Sequence, residues 1–221
     1  MTTLFPTEVE CWVCGHVAEQ TVVASTNMFG SPDLDGRPPQ MARSNLPYET
    51  QLCPSCGYCA LKISGGTQLA KQIVASAAYQ DALGSEQMPS LASRFICCAL
   101  IEQAGAARKN FLVDLYLSAA WACDDAECGA AAADCRLRAA ALLEATIEEV
   151  ATPSSDPQGV EWAILADLFR RAGSFGEVER VVTAAGPCEK DELIDKVLRF
   201  ERVLAVAGDT GVYTVEDAVG Q

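Results

Sequence analysis

The chain has 221 residues, half of them apolar, and a formal net charge of −14. That length allows one large domain or a small module joined to a larger one, and the apolar fraction excludes wholesale disorder. The charge disfavours a nucleic-acid partner, because phosphate backbones attract cations and repel a field of this sign.

Residues 1–10 have no basic start and carry Glu8 and Glu10, so they do not read as a signal peptide. No apolar run reaches the ~20 residues that a membrane helix needs, and a cytoplasmic protein is the expectation. The cysteine-rich end is not basic either: residues 1–63 set Arg37, Arg43 and Lys62 against Glu8, Glu10, Glu19, Asp33, Asp35 and Glu49. Eleven cysteines is a high and odd number. Without an export signal it points away from disulfides, towards metal ligation and small buried side chains.

Residues 1–63 hold two CxxCG sequences, Cys11-Trp12-Val13-Cys14-Gly15 and Cys53-Pro54-Ser55-Cys56-Gly57. Two residues between cysteines let a tight turn aim both sulfurs at one ion. The glycine that follows admits a positive φ and turns backbone amides towards the sulfurs. Cys11, Cys14, Cys53 and Cys56 therefore read as four thiolate ligands of one structural Zn2+; iron is the lesser alternative. Cys59 could replace a ligand through Cys56-x2-Cys59, but Ala60 follows it where a knuckle wants glycine. His16, the only histidine, reads as a surface or neighbouring residue. Val22, Val23 and Ala24 predict a short strand, and residues 27–50, rich in Gly and Pro, predict a long turn-rich loop. A loop with a metal knuckle on either side is a candidate partner-binding segment, with Asp33, Asp35 and Arg37 as its first candidates. The alternative is a wrap over the helices.

From Thr67 the chain reads as helices near 67–83, 89–104, 107–124, 128–150, 157–172, 175–185 and 189–207, with an acidic, fraying tail over 209–221. Leu112, Leu115, Tyr116 and Ala119 keep the i, i+3, i+4, i+7 spacing of an apolar face. So do Trp162, Leu165, Ala166 and Phe169, and Val178, Val181, Val182 and Ala185. Asp156-Pro157 looks like a helix start, Ser174 with Glu177 has capping-box spacing, and Gly186 before Pro187 suits a helix end. Among the remaining cysteines, Cys97 and Cys98 sit between apolar residues and read as buried. Cys123 and Cys128 flank carboxylates, which argues against a reactive thiol. The expected fold is mainly α: a zinc-ribbon-like module over 1–63, then antiparallel helical hairpins over 64–208, as a tetratricopeptide-like array or an irregular bundle. Ala104-Gly105 and Ala172-Gly173 lie 68 residues apart, twice a 34-residue repeat.

The first CxxC, then Leu46-Pro47-Tyr48, then Leu52-Cys53-Pro54-Ser55-Cys56-Gly57-Tyr58 ahead of the helices resembles an uncharacterised bacterial family. Its members have a four-cysteine zinc-ribbon-like N-terminus and a tetratricopeptide-like helical remainder. Ala119-Ala120-Trp121 and Ala172-Gly173-Ser174-Phe175 share the resemblance, and Cys59 departs from it. The resemblance implies an architecture and no activity.

No HExxH, P-loop or GxGxxG sequence occurs, a Ser-His-Asp set could be built only around His16, and four thiolates leave a zinc ion no open position. The expectation is thus a non-catalytic, zinc-stabilised helical scaffold that binds a protein. A metal-based redox or metal-responsive regulator using the same four cysteines is the alternative.

Overall fold

The computed structural model describes residues 1–150, 159–186 and 191–220. They form a mainly helical protein with a small antiparallel strand region at its N-terminal end. The chain divides into two compact units: Met1–Phe29 with Gln40–Ala132, and Gly30–Pro39 with Ala133–Gln221. The boundary expected after residue 63 therefore falls inside the first unit.

In the first unit, strands β1 (Thr3–Glu10) and β2 (Val17–Ser25) form an antiparallel ribbon, with Leu4 opposite Val23 and Glu8 opposite Glu19. β2 extends the short strand predicted at Val22–Ala24. β1 was not foreseen, because Pro6 and three exposed positions around it break the alternation that signals a half-buried strand. The loop after β2 contains a 3₁₀ turn over Ala42–Tyr48. Two-residue strands β3 (Gln51–Leu52) and β4 (Cys59–Ala60) then pair.

Helices α1 (Gln68–Val74) and α2 (Ala77–Leu83) replace the single helix expected over 67–83. Ser76 makes the break: its Oγ donates to Ile73 O at 2.7 Å, ending α1, and accepts from Tyr79 N at 3.3 Å, opening α2. α3 (Ser90–Ala104) and α4 (Lys109–Asp125) follow and pack on each other. Leu112, Leu115, Tyr116 and Ala119 are all buried there, as their spacing demands. Cys97, Cys98 and Cys123 are buried too.

The division between the units falls within α5 (Gly129–Val150). In the second unit α6 (Gly159–Arg171), α7 (Phe175–Ala185) and α8 (Glu192–Val206) pack on one another. Their core is Leu165, Leu168, Val178, Val181 and Leu198. The capping box expected at Ser174 does not form, since its side chain makes no cap bond. A capping box does open α9 (Val215–Val219), where Thr214 and Asp217 bond each other's backbone. The tail expected to fray is built into the unit: Tyr213 meets Phe200 edge-to-face at 5.4 Å and its hydroxyl donates to Asp209 at 2.7 Å. Gly186 caps α7; the predicted start at Asp156-Pro157, together with Pro187 and Cys188, lies outside the described residues.

Candidate metal centre and the 30–39 segment

Each CxxCG sequence forms the turn of a hairpin: the first joins β1 to β2 and the second joins β3 to β4. The two turns repeat one hydrogen-bond pattern. Cys11 N donates to His16 O at 2.8 Å and Gly15 N to Cys11 O at 2.7 Å. Cys53 N donates to Tyr58 O and Gly57 N to Cys53 O, both at 2.9 Å. Gly15 and Gly57 sit at φ 74° and 75°, in the left-handed region that any side chain would strain. The glycine signal in the sequence is thus realised in both turns.

The turns bring the four sulfurs together. Cys11 Sγ lies 3.7 Å from Cys56 Sγ and Cys14 Sγ lies 3.6 Å from Cys53 Sγ. All four lie within 4.8 Å of one another. Four thiolates about 2.3 Å from a tetrahedral ion stand about 3.8 Å apart, so this donor set fits such an ion. No other group of three or more potential ligands gathers this way among the described residues.

The surroundings of the sulfurs differ. Cys11 and Cys53 are 1% and 0% exposed, Cys56 is half-buried and Cys14 is exposed. Burial raises the Cys11 and Cys56 thiols. The backbone N–H of His16 reaches Cys14 and brings its thiol down to about 7. His16 serves through its backbone, and its side chain is exposed. Cys59 stands outside the cluster. It is buried, with its Sγ 3.5 Å from Gly57 O and its backbone N–H donating to the Tyr79 hydroxyl at 2.9 Å.

The structure places Asp33, Asp35 and Arg37 within the second unit at 3%, 2% and 5% exposure. These side chains are enclosed by the second unit's own residues. Leu34 N donates to Tyr213 O at 3.0 Å and Asp33 bridges Thr214. The Asp35 carboxylate receives Arg171 Nη1 at 2.9 Å and faces Arg136 Nη2 at 3.9 Å. Beside it Arg170, fully buried, donates to Glu201 at 2.5 Å, to Asp167 at 2.6 Å and to the carbonyls of Asp209 and Gly211 at 3.1 and 2.8 Å. Such a set of buried charges is tolerable because the groups answer one another. Burial, reinforced by the nearby Asp35 charge, outweighs these arginines and lifts the Asp167 carboxyl to about 6; burial also lifts Glu201 well above the usual range. Sequence reasoning missed this network. Its one signal is a carboxylate and an arginine, Asp167 and Arg170, set into the apolar face of Leu165, Ala166 and Phe169.

An apolar cleft of about 210 Å3 also lies in the second unit, among Pro32, Leu34, Val160, Ile164, Leu193 and Val197. Among the described residues no helix is long and apolar enough to cross a membrane. No protein-family model, no curated protein and no solved structure matches the chain.

Proposed function

We propose that this chain is a zinc-stabilised helical scaffold that binds a protein partner. Cys11, Cys14, Cys53 and Cys56 are the ligands of one structural Zn2+. The observation that carries the reading is the pair of matching knuckles with their sulfurs 3.6 and 3.7 Å apart. Four thiolates fill a tetrahedral ion, so the ion clamps the hairpins and has no position left for a substrate. The helices that follow, read as a tetratricopeptide-like array of a bacterial family and kept in a reducing cytoplasm, supply the binding surface. The partner-binding half of the proposal is supported by the apolar cleft, where Val160 and Leu193 are exposed. A cleft of this size takes a branched or aromatic side chain of a protein.

Elemental analysis of the purified chain tests the first half. One zinc per chain, lost on substituting Cys53 by Ser, is the expected result, and a metal-free protein with full helix content would sink it. For the second half, a protein that co-purifies with the chain should be lost on Leu193→Glu while helix content is kept. Retention of that protein by the variant would count against the cleft.

The second reading, a metal-responsive or redox regulator, is favoured by one feature: Cys14 is exposed and Cys56 half-buried, so one side of the sulfur cluster is open to solvent. Bound iron with a redox-dependent colour would select it over the zinc clamp.

A further inference from the structure

Beneath the second knuckle lies a tyrosine that the clamp alone does not require. Tyr79, on α2, is fully buried, and its hydroxyl uses both of its bonding directions on the knuckle's backbone. It donates to Gly57 O at 2.8 Å and accepts from Cys59 N at 2.9 Å. These groups flank Tyr58, two residues after ligand Cys56. The same glycine is pressed by the same helix: a Cβ on Gly57 would come within 2.6 Å of Leu83 Cδ2. The first knuckle is held to α1 in a comparable way. Trp12, between Cys11 and Cys14, donates its backbone N–H to Ile63 O at 2.8 Å, and the Lys71 ammonium, on α1, lies 4.8 Å over its ring.

Both helices are seven residues long. Helices of that length do not persist in water alone, since nucleation is unfavourable and about 12–15 residues are needed for even marginal stability. Their helicity therefore depends on what they dock against, and part of that support is the folded knuckles. Without an ion, each knuckle keeps only its own turn bonds and its contacts with the short helices, and nothing ties the two knuckles to each other at the sulfurs. If the second knuckle opens, a buried hydroxyl and the two backbone groups it serves lose their partners at once.

We propose that Tyr79 is a positioning residue for the metal centre and that α1 and α2 are a metal-gated element, docked when the four thiolates hold an ion and released when they do not. This rests on reading Cys11, Cys14, Cys53 and Cys56 as metal ligands. Release would uncover the part of α3 on which both short helices pack, so metal occupancy would control an apolar surface within the first unit.

The test uses the full chain and Co2+ as the probe, because tetrahedral thiolate coordination gives cobalt a visible spectrum. Wild-type protein should show that spectrum. Tyr79→Phe should retain helix content and hold Co2+ about 10- to 100-fold more weakly in competition with a chelator, the range seen when a group supporting a ligand is removed, with its charge-transfer band shifted. In wild-type protein alone, chelation should raise hydrogen exchange over residues 68–83 and leave 175–185 unchanged. Wild-type affinity and spectrum in Tyr79→Phe would overturn the positioning role, and unchanged exchange over 68–83 on chelation would overturn the gate. The exchange experiment needs no variant, so an insoluble Tyr79→Phe does not stop it. A wild-type chain that takes up no Co2+ would instead overturn the metal reading beneath both.

Discussion

In the first unit, the polar atoms that set the geometry are backbone amides arranged around four sulfurs. In the second they are guanidinium and carboxylate groups packed among leucines and valines. The two solutions answer one problem, which is to fix an irregular segment. The knuckles fix theirs with local bonds and a proposed ion, so each needs only six consecutive residues, Cys11–His16 or Cys53–Tyr58, and one glycine. The 30–39 segment has turn bonds of its own, Asp33 N to Arg37 O and Gly36 N to Asp33 O, both at 2.9 Å, but its buried carboxylate is answered from far along the chain. The segment depends on Arg171, 136 residues away from Asp35, and on the tail near Thr214. A locally closed site can be read from a short motif, and a site closed across the chain cannot.

Removing the metal should separate the units most widely. Structural zinc contributes on the order of 10 kcal/mol to the folding of small thiolate modules. Cys53→Ser, or a strong chelator, should therefore abolish protection from hydrogen exchange around residues 11–60 and leave the cores of α6–α8 protected. Loss of protection throughout would merge the two units into one cooperative block.

The converse is Arg170→Met. It leaves Asp167 and Glu201 buried without their shared cation, a change that costs about 3–5 kcal/mol. A lower urea midpoint for the second unit is expected, with metal content unchanged. A variant as stable as the parent would show that the network is replaceable by apolar packing.

Acid should act on the units with opposite sign. Asp167 keeps its proton in the folded chain up to about pH 6, but in an unfolded chain only to about 3.9. Between those values the folded state holds more protons, so this group lowers stability as pH rises from 4 to 6 and adds no further change above. The shift corresponds to roughly 2–3 kcal/mol. Thiolate ligands run the other way, because metal binding needs them deprotonated and weakens as pH falls. Exchange protection at pH 4.5 and 7 should therefore favour the second unit in acid and the first at neutrality. A parallel response of both would break the comparison.

The smallest effect should distinguish the two knuckles. Gly15→Ala meets only backbone strain of about 1–2 kcal/mol, since the new Cβ would lie 3.9 Å from Glu10 Oε1. Gly57→Ala adds a clash with Leu83, so it should lower the thermal midpoint by more. Equal midpoints would mean that α2 yields without cost.

The helices over Ser90–Ala104, Lys109–Asp125 and Gly129–Val150 were legible to within two residues, because long apolar periodicity dominates local propensity there. The four cysteines were legible because spacing and glycine act within a few residues. The break at Ser76 was not, since one hydroxyl bonding in both directions leaves no trace in the pattern of apolar residues. The loop 27–50 was legible as irregular but not as divided between two units. Its carboxylates looked like surface groups because the arginines that receive Asp35 lie more than a hundred residues on. Tyr79 escaped notice for a similar reason: its role is defined by a carbonyl and an amide over 20 residues earlier or close to it.

The path of the chain also orders events during synthesis. Residues 30–39 leave the ribosome well before Glu216, which Ser31 meets across 185 residues. The segments that form both knuckles and the helices just after them emerge before α6 and can settle as they appear, since their contacts are shorter in sequence. Asp33 and Asp35 must wait in water until α6 and the tail arrive, so a chain stopped before residue 209 would leave the second unit without its clasp and the early segment unhoused. Translation past α8 is therefore the step at which this protein becomes resistant to proteolysis between residues 30 and 39, a transition that arrested chains of graded length would time directly.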